Sequence, residues 1–271
     1  MRQARKAAFT VLLFSGMALM TVNLFGLSQV LRPSNIQLEH LRFGQSDVVL
    51  DHANLLTGVL KLQNESSLSY SQRLTKVIAD GIAHIHWFDY PPEQFNQLVP
   101  VWENWVLHLM GRFSGIPEFE RYHYSSPYKS MERGIGLCGD ASILMHQLLA
   151  QNDITAKIMS FSGHVVISAN VDGQDYIFDP DFGVYFSASP EQLRSSAHLH
   201  SKAYSNAGYP LSDELFFNQQ YTQEYELWDG PQHFITKKFY FEKLSYIMKW
   251  SIPLLLIIVG LWGMVSVLGK R

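Results

Sequence analysis

Two long apolar runs, one near each end of the chain, constrain the architecture more than any other feature of the sequence. The first extends from Ala7 to Leu31 and the second from Ile252 to Leu268. A helix that spans a bilayer needs about 17–25 predominantly apolar residues, so both runs are predicted to be membrane helices. The first run exceeds the apolar stretch of about 7–15 residues found in a cleaved signal peptide, and it lacks a clear small-x-small cleavage site. We therefore interpret it as an uncleaved anchor.

The two apolar runs also separate acidic from basic parts of the chain. All 24 Asp and Glu residues lie between Arg32 and Lys249. The tips are basic and carry Arg2, Arg5, Lys6, Lys270 and Arg271. An acidic body excludes a nucleic-acid-binding protein, which needs a basic surface patch. The basic residues on the two sides of the runs are equal in number, so charge alone does not fix the orientation. Because an N-terminal anchor that begins with basic residues usually exports the polypeptide after it, we expect a two-pass protein of the inner (cytoplasmic) membrane with its body on the periplasmic side.

The expected organisation has four parts. Residues 1–31 form the N-terminal anchor, 32–236 the folded domain, 237–250 a juxtamembrane segment and 251–271 the C-terminal membrane helix. Within the domain, apolar residues recur at helical spacing in three regions. These regions are Ser69 to Trp87, roughly Glu93 to Phe113 with a division at Pro100, and Leu137 to Leu148.

The sequence after the third helix predicts an antiparallel sheet. Strands are expected at Ile154–Phe161, His164–Asn170 and Gln174–Asp179, with an Asp172-Gly173 hairpin turn between the last two. A further helix is expected from Ser189 to about Asn206. Helices followed by a helix packed on an antiparallel sheet are typical of the α+β class.

Cys138 is the single cysteine, so a disulfide within the chain is excluded. A lone cysteine is most often a small buried hydrophobe. Cys138, however, stands at the predicted start of a helix, just after Gly134 and Gly136, where the helix dipole and free backbone N–H groups favour the reactive thiolate. Its own backbone N–H is placed to hold an oxyanion. Asp140 is interpreted as a cap of the first turn.

The predicted hairpin brings a histidine and a carboxylate together. A two-residue turn at Asp172-Gly173 puts His164 and Asp179 on the same sheet face as diagonal neighbours. A carboxylate in that position can orient the imidazole for acid–base work. Asp181 shares the face and is a rival, but Pro180 should end the strand pairing before it.

These residues resemble the transglutaminase-like superfamily in order and spacing. The resemblance rests on the stretches Arg133–Ser142 (RGIGLCGDAS), Ile154–Lys157 (ITAK), Gly163–Val166 (GHVV) and Tyr176–Pro180 (YIFDP), and it covers roughly residues 69–183. It implies a papain-like α+β core with a catalytic triad of Cys138, His164 and Asp179. One departure is Val165 after the histidine, where the family often has an aromatic residue.

The function expected from the resemblance is acyl transfer through a Cys138 thioester, on a protein or peptide carboxamide of the cell envelope. Water as acceptor gives a peptidase or amidase, and an amine gives a cross-linking enzyme. Two alternatives stay open. One is a papain-like peptidase of the bacteriocin-processing kind, whose histidine lies much further beyond the cysteine. The other is a catalytically silent binding module in a complex with another membrane protein.

The remaining signals are weaker. Tyr124, Ser126 and Tyr128 are candidates for the side chain that completes an oxyanion hole. His84-Ile-His86 and His198-Leu-His200 lack a carboxylate or cysteine at a recognised metal spacing, so they are interpreted as solvated or capping histidines. His146 lies off the apolar helix face and is expected to be exposed. No metal or cofactor is expected; the expected contacts are the lipid bilayer and the substrate.

Overall fold

The computed structural model describes residues 2–42, 50–195 and 198–268. The basic residues Lys270 and Arg271, and residues 196–197 within the predicted helix at Ser189–Asn206, lie outside this range. The chain divides into two compact units. One consists of Met1–Leu31, Pro92–Tyr122 and Tyr240–Arg271, and the other of Arg32–Pro91 and His123–Phe239.

The larger unit, Arg32–Pro91 with His123–Phe239, is of the α+β class. Its helices are α2 (His52–Gly58), α3 (Ser67–Gly81), α6 (Pro127–Arg133), α7 (Cys138–Ala150), α8 (Pro190–Ser195), α9 (His198–Asn206), α10 (Leu211–Tyr221) and α11 (Pro231–Phe234). Its strands are β1 (Ala156–Ser160), β2 (Val165–Val171), β3 (Gln174–Asp179), β4 (Val184–Ser187) and β5 (Glu226–Trp228).

The five strands form one antiparallel sheet in the order β4-β3-β2-β1-β5. The predicted hairpin register is confirmed, since Ile167 pairs with Phe178 and Val171 with Gln174. Asp172 and Gly173 have φ angles of 54° and 83°. Positive φ at both turn residues is the requirement of the tight hairpin turn that the sequence predicts. Two short strands that were not predicted, β4 and β5, complete the edges of the sheet.

Helix α7 is the centre of the main core. Its buried side chains pack with α3 and with one face of the sheet, in a cluster that includes Leu144, Ile78, Ile158, Ile167 and Phe178. Burial extends around most of the helix rather than along one stripe. His146 is therefore buried, and the expectation that it is exposed is wrong. Burial lowers the pKa of His146.

Helix α3 ends earlier than the sequence pattern predicts. The predicted helix reached Trp87, whereas α3 stops at Gly81 and Ile82 is extended. A Cβ on Gly81 would lie 2.3 Å from Cδ1 of Leu55, so glycine permits the close approach of α2 at this point. Because the helix stops here, the residues after Gly81 are free to form the extended segment that carries His84.

The smaller unit, Met1–Leu31 with Pro92–Tyr122 and Tyr240–Arg271, contains the apolar helices. Its elements are α1 (Arg2–Gly26), α4 (Trp105–Phe113), α5 (Pro117–Glu120) and most of α12 (Thr236–Leu268). The two apolar helices, α1 and α12, are long and apolar enough to span a membrane. They approach closely where small residues allow it; a Cβ on Gly16 would lie 2.8 Å from the Pro253 carbonyl oxygen.

Polar side chains connect α1, α12 and the segment before α4 within this unit. The Asn23 side-chain amide donates to the Lys249 carbonyl at 2.6 Å, and Lys249 Nζ donates to the carbonyl of Glu103. The predicted helix at Glu93–Phe113 is shorter in the structure and begins at Trp105, with Asn104 as its N-cap. Pro92 and Pro100 lack the backbone N–H that a longer helix needs.

Candidate active site

Three short extended segments of the larger unit fix the backbone that leads into Cys138. The amide of Ala83 donates to the carbonyl of Gly134 at 2.9 Å, and the amide of Gly136 donates back to Ala83 at 3.2 Å. On the other edge of the same segment, the amide of Arg42 donates to the carbonyl of His84. Gly134 has a φ of 65°, a value that favours glycine. Arg42, His84 and the residues before Cys138 are thereby held side by side.

Asp140 caps the helix that begins at Cys138, as the sequence predicts. Its Oδ2 accepts the backbone N–H of Leu137 at 2.9 Å. It also accepts from Nδ1 of His123 at 2.7 Å, and its other oxygen lies 3.5 Å from a guanidinium nitrogen of Arg133. Burial raises the pKa of Asp140, but His123 and Arg133 outweigh burial and the net pKa is lowered. The carboxylate that caps α7 is therefore held ionised.

A hydrogen bond ties the start of α7 to the strand that follows His164. Ser142 lies one helical turn after Cys138, and its Oγ donates to the Val165 carbonyl at 2.9 Å. Ser142 is fully buried. Residues four apart lie on the same helix face, so this bond fixes the part of α7 that carries Cys138 against the residue next to His164.

His164 and Asp179 are in direct contact, as the hairpin geometry predicts. Nε2 of His164 lies 2.7 Å from Oδ2 of Asp179, and both side chains are buried. Because Nε2 faces the carboxylate, Nδ1 is left for the thiol. Burial lowers the pKa of His164, but Asp179 and then Cys138 raise it, and the net pKa lies well above 6.5. The imidazole is thus a strong proton acceptor beside the sulfur.

Asp179 accepts more hydrogen bonds than the sequence argument assigned to it. Its Oδ1 accepts the backbone N–H groups of Asp181 at 3.0 Å and Phe182 at 3.2 Å. Its Oδ2 also accepts from the hydroxyl of Tyr204 at 2.5 Å. The Tyr204 hydroxyl lies 2.6 Å from that of Tyr221. Burial, followed by the charge of Asp179, raises the pKa of both tyrosines well above 10, so both remain protonated.

Aromatic rings from α9, α10 and the loop after β3 surround the imidazole. The ring centroid of His164 lies 5.2 Å from Phe217 and 5.8 Å from Phe182. The Tyr204 and Phe217 rings are stacked at 3.8 Å. These apolar neighbours exclude water from the His164–Asp179 pair, and a low local dielectric strengthens its hydrogen bond.

Asp181 is also part of the site, but its partners are different. Its Oδ2 accepts from a guanidinium nitrogen of Arg42 at 2.9 Å, and its Oδ1 lies 2.8 Å from Nε2 of His84. Burial raises the pKa of Asp181, but His84 and Arg42 lower it to a net value well below its usual range. The interpretation of His84 as a solvated or capping histidine is wrong, because its side chain is 2% exposed and pairs with Asp181.

Cys138, His164 and Asp181 converge. One ligand atom from each, the sulfur, a ring nitrogen and a carboxylate oxygen, lies within 4.8 Å of the other two. Cys138 is partly exposed, whereas His164 and Asp181 are buried. The group is open to solvent on the side of the thiol. A Cβ on Gly139, the next residue, would meet no atom within 4 Å.

The three residues predicted as candidates to complete an oxyanion hole differ in burial and in their contacts. Tyr124 is buried, with the Arg133 guanidinium 4.9 Å from its ring centroid, whereas Tyr128 is 62% exposed on α6. Ser126 is the N-cap of α6 and makes no capping hydrogen bond through its side chain. Arg42, His84 and Tyr204 were missed in the sequence. His84 had one local signal, since it stands between Ile82-Ala83 and Ile85, in an apolar stretch typical of burial.

Comparison of the chain with protein-family models, with curated proteins and with solved structures gives no match.

Proposed function

We propose that the chain is a membrane-anchored thiol enzyme of transglutaminase-like type that acts through a Cys138 thioester. The observation that carries this proposal is the order of groups Cys138, His164 and Asp179, with a buried 2.7 Å contact between the last two. A nucleophile, a base within reach and a third group that orients the base are the signature of covalent acyl transfer. The resemblance of the same residues to the transglutaminase-like superfamily supports the proposal.

In the proposed mechanism, His164 takes the thiol proton and the Cys138 sulfur attacks a carboxamide or peptide carbonyl. The backbone N–H of Cys138, at the first turn of α7, stabilises the oxyanion. His164 returns the proton to the leaving amine, and a thioester remains on Cys138. Water or an amine then attacks the thioester, which releases the acyl group and restores the thiol. Asp179 holds the imidazole in the required tautomer throughout.

The partial exposure of Cys138 is compatible with an extended acyl substrate. A Cβ on Gly139, the next residue of α7, would meet no atom within 4 Å, so the first turn of the helix is uncovered at that position. A protein or peptide carboxamide of the cell envelope fits this description.

We further propose that the enzymatic unit lies on the periplasmic side of the inner membrane. The helices α1 and α12 have the length and apolarity of membrane spans. The sidedness rests on the basic residues that precede the first span. A reporter that is active only in the cytoplasm, fused after Tyr209, should give no signal, and the same reporter fused after Arg271 should give a strong one. The reverse pattern would contradict this topology.

The proposed activity is tested by chemistry at the only thiol. Membranes that contain the full chain are treated with an acyl-transfer activity probe, and labelling at Cys138 is read by mass spectrometry. Cys138→Ser and His164→Ala should abolish labelling while the chain remains folded and membrane-bound. In parallel, envelope proteins of a strain that carries Cys138→Ser are compared with those of the parent. Absence of probe labelling in the folded parent would favour the binding-module alternative.

A further inference from the structure

Two residues of the proposed triad, together with Asp181, form a second set of side chains that is suited to metal binding. Zinc is held by cysteine, histidine and carboxylate ligands in tetrahedral geometry, with bonds of about 2.0–2.3 Å. Cys138, His164 and Asp181 offer one ligand of each kind within 4.8 Å of one another. Ligand atoms at tetrahedral angles on such bonds lie about 3.5 Å apart. With all three atoms within 4.8 Å, each pair must close by at most about 1.3 Å to reach this spacing.

From this convergence we propose that the site reversibly binds a zinc ion through Cys138, His164 and Asp181, and that zinc-bound protein is inactive. Because Cys138 is the proposed nucleophile and His164 the proposed base, the metal and an acyl substrate exclude each other. The regulatory part of this inference rests on the proposed function, whereas the metal site itself does not.

The ligands are oriented by neighbours in the way that metal sites require. A ligating histidine usually places its second nitrogen against a carboxylate, which fixes the ring. In this chain Nε2 of His164 lies 2.7 Å from Asp179, so Nδ1 is the nitrogen available to the metal. Asp181 is held by Arg42 at 2.9 Å and by His84 at 2.8 Å, one on each oxygen. Each carboxylate oxygen has two lone-pair sites, so one remains for the metal.

The charge of the site also favours a cation. Zinc binding requires the thiolate and a neutral imidazole, so the proton shared by Cys138 and His164 leaves. The site then holds the thiolate and the carboxylates of Asp179 and Asp181, opposed by the Arg42 guanidinium and the His84 imidazole. Three negative groups against at most two positive ones leave an excess of negative charge that a divalent cation compensates. Because Cys138 is partly exposed, the ion has an entry path from solvent.

The test uses the full chain in detergent, with zinc chloride as the probe and iodoacetamide labelling of Cys138 as the readout. Zinc should slow labelling at least about tenfold, and a chelator should restore the original rate. Asp181→Asn removes a proposed ligand, so it should weaken zinc affinity by at least the roughly 10- to 100-fold known for residues that orient metal ligands. The matched control is Asp175→Asn, the same substitution at an exposed position of strand β3, which should leave zinc affinity unchanged.

Equal zinc affinity in the parent and Asp181→Asn, or failure of zinc to slow labelling, would overturn the proposal. If Asp181→Asn does not fold, Asp181→Glu keeps the charge beside Arg42 but moves the carboxylate, and it should also weaken zinc binding. X-ray absorption on the zinc-loaded parent gives an independent answer. One sulfur at about 2.3 Å with nitrogen or oxygen ligands at about 2.0–2.2 Å is expected, and a shell without sulfur refutes the site. Slow labelling without zinc would contradict the proposed function, not the metal site.

Discussion

Replacement of Asp179 by Asn is the most informative perturbation of the site, because the two side chains have the same shape. Oδ1 of an asparagine can still accept the backbone N–H groups of Asp181 and Phe182. Its NH2 group would face Nε2 of His164 and the hydroxyl of Tyr204, both of which now meet the carboxylate. The imidazole must then accept at Nε2 and carry its proton on Nδ1, which faces the thiol. That tautomer cannot take the thiol proton.

The expected loss of rate is set by the hydrogen bond between Asp179 and His164 that the substitution removes. A hydrogen bond to a charged group contributes about 1.5–3 kcal/mol, which corresponds to a factor of about 10–150 at about 1.4 kcal/mol per tenfold. The rate of Cys138 alkylation by iodoacetamide near neutral pH should fall by that factor in Asp179→Asn. With a substrate, turnover should fall further, by about 10⁴-fold, as expected for the wrong tautomer in a triad.

The alkylation assay needs no knowledge of the substrate, and Cys138 is the only thiol, so the measured rate has a single source. Asp175→Asn on the same strand is the neutral control, and circular dichroism confirms that each variant is folded. Asp181→Asn is the discriminating rival, and its effect should be smaller because Asp181 contacts Arg42 and His84. The reasoning is refuted if Asp181→Asn slows alkylation strongly while Asp179→Asn leaves the rate unchanged.

Three further outcomes are expected. Tyr204→Phe removes the 2.5 Å hydrogen bond to Asp179, so alkylation of Cys138 should slow about two- to tenfold, for a net bond of about 0.5–1.5 kcal/mol; an unchanged rate would exclude a positioning role. Gly136→Ala should lower the free energy of unfolding by about 1–3 kcal/mol in denaturant titrations, because its Cβ would lie 2.7 Å from Cβ of Asp140. Gly139→Ala, whose Cβ would meet no atom within 4 Å, should instead raise it by about 0.4–1 kcal/mol. The pKa of His164 is raised on folding, so the parent should have a larger free energy of unfolding than His164→Gln below pH 6.5, and the difference should shrink as the pH rises through the raised pKa. A difference that shrinks toward acid pH would contradict a raised pKa.

The parts of the site that could be predicted from the sequence are those fixed by local chemistry. The Asp172-Gly173 turn sets the register of β2 and β3, and that register brings His164 to Asp179 without any information from the rest of the chain. The capping role of Asp140 is equally local, because it spans only the three residues back to Leu137. In both cases the interacting groups belong to one turn or one hairpin.

The parts that could not be predicted depend on contacts distant in sequence. Arg42 and Asp181 are 139 positions apart, and neither lies in a periodic pattern that indicates its partner. Tyr204 reaches Asp179 from a helix 25 positions later. The error on His146 has a related cause. A single apolar stripe predicts one buried face, but α7 is covered on most sides by α3, α6 and the sheet, and the coverage depends on elements that periodicity within α7 does not report.

Three buried carboxylates lie in or near the proposed site. Removing charged groups from water costs several kcal/mol each, and a buried ion pair seldom repays that cost in stability. Nevertheless, Asp140, Asp179 and Asp181 are all at most 1% exposed. Asp140 pairs with His123 and Arg133, Asp179 pairs with His164, and Asp181 pairs with Arg42 and His84. Charge pairs that only stabilised the fold would not need to lie around a reactive thiol. Here His164 and Asp181 each place a ligand atom within 4.8 Å of the sulfur of Cys138, which is partly exposed. Buried charged groups arranged around an accessible nucleophile are what catalysis or metal binding at a thiol requires.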